Sequence, residues 1–186
     1  MFGECERELA HTRQITCRAF RRHDGLWEIE ALLVDQKAEE VPFRSRAPVR
    51  AGEAMHDMTI GFLIDRDYTI RDVQARMRAA PWPDCPGSAD RYSLLIGLRI
   101  GPGFRRKVQE LVGGENGCTH LTDLITQVGN TYMQASWPER VAAQTRIDPD
   151  PRHWPDPGAV AFVGGCHAWR RDGNTLQREY PELADE

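Results

Sequence analysis

A chain of 186 residues, with 24 Lys plus Arg against 28 Asp plus Glu and a net charge of −4, is sized for one domain with a core of its own. The balanced charge argues against a nucleic-acid binder, which calls for a basic face, and no apolar run approaches the roughly 20 residues needed to cross a bilayer. The opening Met1-Phe2-Gly3-Glu4-Cys5-Glu6 is acidic and lacks an apolar h-region, and the five cysteines are an odd number. The expectation is a cytoplasmic protein with reduced thiols, in which a cysteine that matters is a metal ligand or a catalytic group.

Ile15, Cys17 and Ala19 alternate with Thr16, Arg18 and Phe20, and Trp27, Ile29, Ala31 and Leu33 alternate with Glu28, Glu30 and Leu32. Between them stands Asp24-Gly25, a hairpin turn signal, so residues 13–36 read as a β-hairpin. The stretch 37–54 reads as loop. A second strand begins near Met55, with His56, Met58, Ile60, Phe62 and Ile64 on one face and Asp57, Thr59, Gly61 and Leu63 on the other. Asp65-Arg66-Asp67 turns the chain, and 69–77 returns. Its Ile70, Val73 and Met77 also fit a helical stripe, but a strand completes a second hairpin.

Pro81, Pro83 and Pro86 around Cys85 break regular structure. Helices follow. One spans about 90–100 with Leu94, Leu95 and Leu98. A second carries the stripe Phe104, Val108, Leu111 and Val112, with Pro102 suited to its start and Gly113-Gly114 to its end. A third has the stripe Leu121, Leu124, Ile125, Val128 and Tyr132, and Thr119 as its cap. The fold class is therefore α+β, a four-stranded antiparallel sheet from two hairpins packed against three or more helices. Residues 1–186 read as a single domain. Residues 11–137 hold the sheet and helices, 138–158 form a proline-rich excursion, and 159–186 carry a short β segment near 159–163 with a hairpin at Asp172-Gly173-Asn174.

His11-Thr12-Arg13, Arg21-Arg22-His23-Asp24-Gly25-Leu26-Trp27, Met55-His56-Asp57-Met58, Gly97-Leu98-Arg99-Ile100-Gly101-Pro102-Gly103 and Gly117-Cys118-Thr119-His120-Leu121 occur in that order. Together they resemble the bacterial family catalogued as domain of unknown function 2889, over roughly residues 11–180. The family is defined by sequence rather than activity. Its members resemble single-domain proteins of bacteria that degrade unusual carbon sources, including aromatic compounds. The resemblance thus implies a small catabolic enzyme. A second, architectural similarity is to the iron–sulfur scaffold fold, in which a Cys after the last strand and a Cys/His pair at a helix start hold a cluster or zinc.

The residues themselves offer several sites. Cys118 and His120 fall at a helix N-terminus, where free N–H groups and the helix dipole favour a thiolate. Cys85, Cys118, His120 and Cys166 (or His167) are four ligands of the kind zinc takes; buried apolar thiols are the plainer reading. His56 lies on an apolar strand face, where burial favours a neutral imidazole. It is either a base or a core histidine bonded to a backbone carbonyl. Arg22, Trp27 and Asp57 are candidates to contact substrate, and Tyr92 to donate a proton or steady an oxyanion. Each also has a structural reading: a solvated turn, a core ring, a surface hydroxyl.

No phosphate-binding glycine loop and no G-x-S-x-G occurs, so neither a nucleotide cofactor nor a serine hydrolase is expected. The cofactor is none or zinc. The functional expectation is a lyase acting on a small aromatic, lignin-type substrate. His56 and His120 move protons, and cleavage of a C–C bond releases a small aldehyde such as formaldehyde. The aromatic substrate and the aldehyde come from the family resemblance, not from the residues. The alternatives are a zinc or iron–sulfur accessory protein without turnover and an aromatic-ligand-binding module. The partner is a small molecule, with no nucleic acid and no membrane, and the exposed hairpin edge leaves a homodimer open.

Overall fold

Alternating apolar and polar residues build four strands in the computed structural model, which describes residues 3–147, 150 and 163–184. They are β1 (His11–Arg21), β2 (Trp27–Lys37), β3 (Ala54–Ile64) and β4 (Ile70–Ala79). They form one antiparallel sheet in the order β1-β2-β3-β4. The first turn is set by Asp24-Gly25. Gly25 takes φ 84°, a left-handed conformation that a side chain disfavours. The Arg22 N–H donates to the Leu26 carbonyl at 3.0 Å, and the Asp24 carboxylate accepts the Leu26 N–H at 3.2 Å. From this turn the register runs without a break from Arg21↔Trp27 to His11↔Lys37, bringing Arg13 opposite Asp35.

The other two pairings are interrupted. β2 and β3 shift register between Asp35 and Gln36, just past the Asp35↔His56 pair. β3 and β4 shift between Asp57 and Met58. His56 therefore sits between two irregularities, where bulges bend a strand and re-aim its side chains.

One sheet face is apolar. Trp27, Ile29, Ala31 and Leu33 of β2, Met58, Ile60, Phe62 and Ile64 of β3, and Ile70 and Val73 of β4 are all buried. They join one core with Tyr92, Leu95, Phe104, Val108, Val112, Leu121, Leu124, Ile125, Val128 and Tyr132 from the helical segments. Ile60 is completely enclosed. Ile60→Ala is expected to cost about 2–5 kcal/mol through lost burial and the cavity left behind. Urea unfolding should show a lower midpoint at an unchanged slope; a loss below about 0.5 kcal/mol would mean the core is not packed as described.

The helical half differs in detail from the sequence expectations. The first segment is a 3-10 helix over Cys85–Leu95, not an α-helix reaching residue 100. Residues 97–100 are drawn off it by pairing with the start of β4: the Ile70 N–H donates to the Leu98 carbonyl at 2.9 Å and the Ile100 N–H to the Tyr68 carbonyl at 2.9 Å. Helix α1 spans Phe104–Val112, with Gly103 rather than Pro102 next to its first residue. Phe104, Val108 and Val112 form its buried stripe. Helix α2 starts at Thr119 and runs to Ile147 through Pro138, so the first part of the expected proline-rich excursion is helical. A proline removes one intrahelical hydrogen bond, and helix on both sides carries the chain through it.

The chain divides into two units, Met1–Ser136 and Trp137–Glu186. In the second, residues 172–174 are not a hairpin. Gly173 precedes helix α3 (Asn174–Glu179), because Leu176-Gln177-Arg178-Glu179 are better helix than strand formers. The β segment expected at 159–163 lies, apart from Val163, outside the described residues, and Val163 is in a turn. No helix among the described residues is long and apolar enough to cross a membrane.

Candidate active site

The apolar row of β2 does not stop at Leu33. Two residues on, the same face carries Asp35, only 1% exposed. An ionised carboxylate survives there only if it is paired and hydrogen-bonded. Arg13, its register partner on β1, supplies a two-pronged fork: Nε donates to Oδ1 at 2.8 Å and Nη2 to Oδ2 at 2.7 Å. On the other side His56 Nδ1 lies 2.9 Å from Oδ2. His11 Nε2 stands 3.3 Å from Oδ1. Burial alone would raise the pKa of Asp35. The Arg13 hydrogen bonds and charge, with His56, outweigh it and hold the carboxyl down to about 2, so Asp35 is an anion throughout the physiological range.

The start of α2 supplies the third member. His120 Nε2 lies 3.9 Å from Asp35 Oδ2, and its ring lies against that of His56, with centroids 3.9 Å apart and planes tilted by 35°. Asp35, His56 and His120 each bring a donor atom within 4.8 Å of the others, the one such group of potential ligands among the described residues. Burial first, and then the neighbouring His120, push His56 below its ordinary pKa against the pull of Asp35. Burial and the charge of Arg13 do the same to His120. Both rings are therefore neutral at pH 7. Both still reach solvent, with side chains 13% and 25% exposed.

The tautomer of His56 follows from its partner. A carboxylate only accepts, so Nδ1 carries the proton and Nε2 keeps its lone pair. Among the described residues Nε2 has no hydrogen-bond partner. A neutral imidazole oriented through one nitrogen by a buried carboxylate, with the other nitrogen free, is equipped to accept a proton.

The Gly117-Cys118-Thr119-His120 motif has a structural logic of its own. Tyr92, fully buried, accepts the Cys118 N–H at 3.0 Å. Its oxygen lies 2.8 Å from both the Cys118 carbonyl and Thr122 Oγ1, and its one proton serves these two acceptors. Thr122 passes its own proton to the Val112 carbonyl at 3.0 Å. A side chain at Gly117 would meet the Val112 carbonyl at 2.3 Å and the Tyr92 hydroxyl at 3.1 Å, so only glycine lets the chain pass. Burial raises the Tyr92 pKa, which keeps the phenol protonated. Tyr92→Phe is expected to cost about 1–3 kcal/mol, the penalty for leaving the part-buried Cys118 N–H and the buried Thr122 hydroxyl without this partner. Thermal unfolding checks this, and an unchanged midpoint would mean that the latch is not needed.

The other sequence candidates have partners of their own or lie outside the cluster's unit. Cys118 is beside the centre, with Sγ 3.9 Å from His120 Nδ1 and 3.9 Å from Met58 Sδ. Tyr92 faces the Cys118 backbone and the Thr122 hydroxyl. Trp27 is a core ring, edge-on to Tyr132 at 6.4 Å. Asp57 points to the opposite face of β3 and receives a fork from Arg78 at 2.9 and 2.7 Å. Arg22 is at the hairpin end, bound to Asp24 at 2.7 Å and Glu28 at 3.1 Å. Cys85 opens the 3-10 helix, where its carbonyl accepts the Ser88 hydroxyl at 2.8 Å. Cys166 is exposed in the second unit.

An open cleft of about 620 Å³ lies on the polar sheet face, with Arg18, Glu30, Thr59, Gly61, Gln74 and Arg76 in its lining, but no histidine or cysteine opens onto it. The reactive side chains are on the other face.

Asp35, Arg13 and His11 were absent from the sequence candidates. The signals were present: the inward row of β2 continues by twos to Asp35, and the hairpin register, counted back from its turn, sets Arg13 opposite.

No curated protein and no solved structure matches the chain. A family model does, over residues 11–134, which include every member of the Asp35 cluster. The chain belongs to the family described as protein of unknown function DUF2889.

Proposed function

We propose that the Asp35–His56–His120 centre is the proton-transfer site of a small lyase that cleaves a C–C bond in an aromatic, hydroxymethyl-bearing substrate and releases formaldehyde. The observation that carries the proton-transfer part is the 2.9 Å contact from His56 Nδ1 to a buried carboxylate. It fixes the ring and leaves Nε2 as a base. The aromatic substrate and the aldehyde rest on the family resemblance.

In this reading His56 Nε2 takes the proton of the substrate hydroxyl. The oxygen's electron pair becomes the second bond of the formaldehyde carbonyl, and the C–C bond breaks. Its electrons move to the adjacent carbon, where a conjugated acceptor holds them until an imidazolium of the His56–His120 pair returns the proton. Arg22, a candidate for contacting substrate, and Tyr92, a candidate for steadying an oxyanion, are engaged elsewhere. The cation at this centre is Arg13, whose fork faces Asp35. Asp35 stabilises the imidazolium formed in the first step.

The test incubates the purified chain with a panel of hydroxymethyl-bearing aromatic compounds and measures formaldehyde together with the shortened product. Release of both in equal amounts supports the reading. A panel member that binds, shown by a thermal shift, yet yields no product would instead favour a ligand-binding module.

A further inference from the structure

We propose that Asp35, His56 and His120 also form a binding site for one divalent first-row cation, zinc being the reference species, and that the ion competes with proton transfer at the same centre. The second half rests on the acid–base reading above; the first does not.

The donor atoms are Asp35 Oδ2, His56 Nδ1 and His120 Nε2. Oδ2 is 2.9 Å from Nδ1 and 3.9 Å from Nε2, and all the donors of the group lie within 4.8 Å of one another. Zinc bonds to oxygen and imidazole nitrogen at about 2.0–2.2 Å, which places neighbouring tetrahedral ligands about 3.4 Å apart. Shifts of about half an ångström would bring the carboxylate oxygen to that spacing from each imidazole nitrogen. The ligands come from β2, β3 and the start of α2, three separate elements. Three protein ligands leave a zinc ion an open position, as in catalytic rather than structural sites.

The surroundings also suit an ion. The Arg13 fork and the nearby His11 hold the carboxylate in place, the outer support that ligating carboxylates ordinarily have. Arg13 also adds a positive charge, which selects against weakly held monovalent ions and lowers affinity for any cation.

Competition follows from the tautomer. Ligation through Nδ1 requires that nitrogen to give up its proton, and the neutral ring then carries its proton on Nε2. The form of His56 that binds the ion is the form that cannot act as the base.

The full-length chain, stripped with a chelator, is titrated with zinc chloride by calorimetry and with cobalt(II) as a spectroscopic probe. About one equivalent should bind. His56→Gln, His120→Gln and Asp35→Asn should each weaken it about tenfold or more, and Cys118→Ser should leave it unchanged. Circular dichroism and melting establish that each variant is folded; should Asp35→Asn unfold, His120→Gln, at the more exposed ring, decides. Wild-type protein that binds no zinc overturns the site, as do undiminished binding in the histidine variants and loss of binding in Cys118→Ser. Because binding is read without substrate, absence of turnover counts against the acid–base reading alone. Zinc bound at one equivalent with formaldehyde release undiminished overturns the competition.

Discussion

His56→Gln is expected to lower turnover of a hydroxymethyl aromatic substrate by about 10²–10⁴-fold, the usual contribution of a positioned base. Glutamine retains an N–H that can face Asp35 but offers no basic nitrogen. The substitution therefore removes the chemistry while sparing most of the local geometry. Because the lost interaction belongs to the transition state, kcat should fall with little change in KM. Steady-state kinetics on variant and wild type, with melting curves to establish equal folding, make the comparison. A variant that keeps more than about a tenth of wild-type kcat would remove His56 as the base.

The second large effect is on stability. Arg13→Ala strips the fork from a carboxylate whose side chain is 2% exposed. Arg13 itself is 39% exposed, but leaving a buried charge without its partner costs about 3–5 kcal/mol, because that charge stays desolvated. His56 and His120 can reorient toward the carboxylate and soften this, so a loss of about 3 kcal/mol is expected. For a chain of this length that lowers Tm by about 6–12 °C. The double variant Arg13→Met with Asp35→Leu should recover much of the loss, since an apolar pair of similar volume needs no partners. Thermal and urea unfolding of the wild type and both variants test this. A single variant within about 0.5 kcal/mol of wild type would mean that the Asp35 carboxylate is not buried in solution.

Most of the sheet was legible because its signals are local. Asp24-Gly25 marks the first turn, and period-two alternation assigns the apolar face of β2 and β3. The helical half was less so, since its departures depend on distant partners. Residues 97–100 look like a helix end by composition, yet pair with Tyr68 and Ile70. Pro138 looks like a stop, yet lies inside α2.

The centre was half visible. His56 stood out as an imidazole on an apolar strand face, and His120 as a histidine at a helix start. Nothing in the spacing of 64 residues between them shows that their rings meet, because that contact is made by packing the start of α2 over the sheet. Asp35 carries no local signal of its own, because acidic residues near strand ends are commonly solvated. Its role emerges only when the inward row of β2 and the hairpin register are followed together. The cysteines drew notice as rare reactive groups. Yet the ligand-type side chains that converge are a carboxylate and two imidazoles, with Cys118 alongside.

The most direct test is the protonation of His56 itself, read by two-bond ¹H–¹⁵N correlation spectra of imidazole-labelled protein at neutral pH. A base buttressed by Asp35 requires a neutral ring with its proton on Nδ1, and a shift of the tautomer balance in Asp35→Asn. A neutral His56 with its proton on Nε2, unchanged in that variant, would contradict the proton-transfer centre.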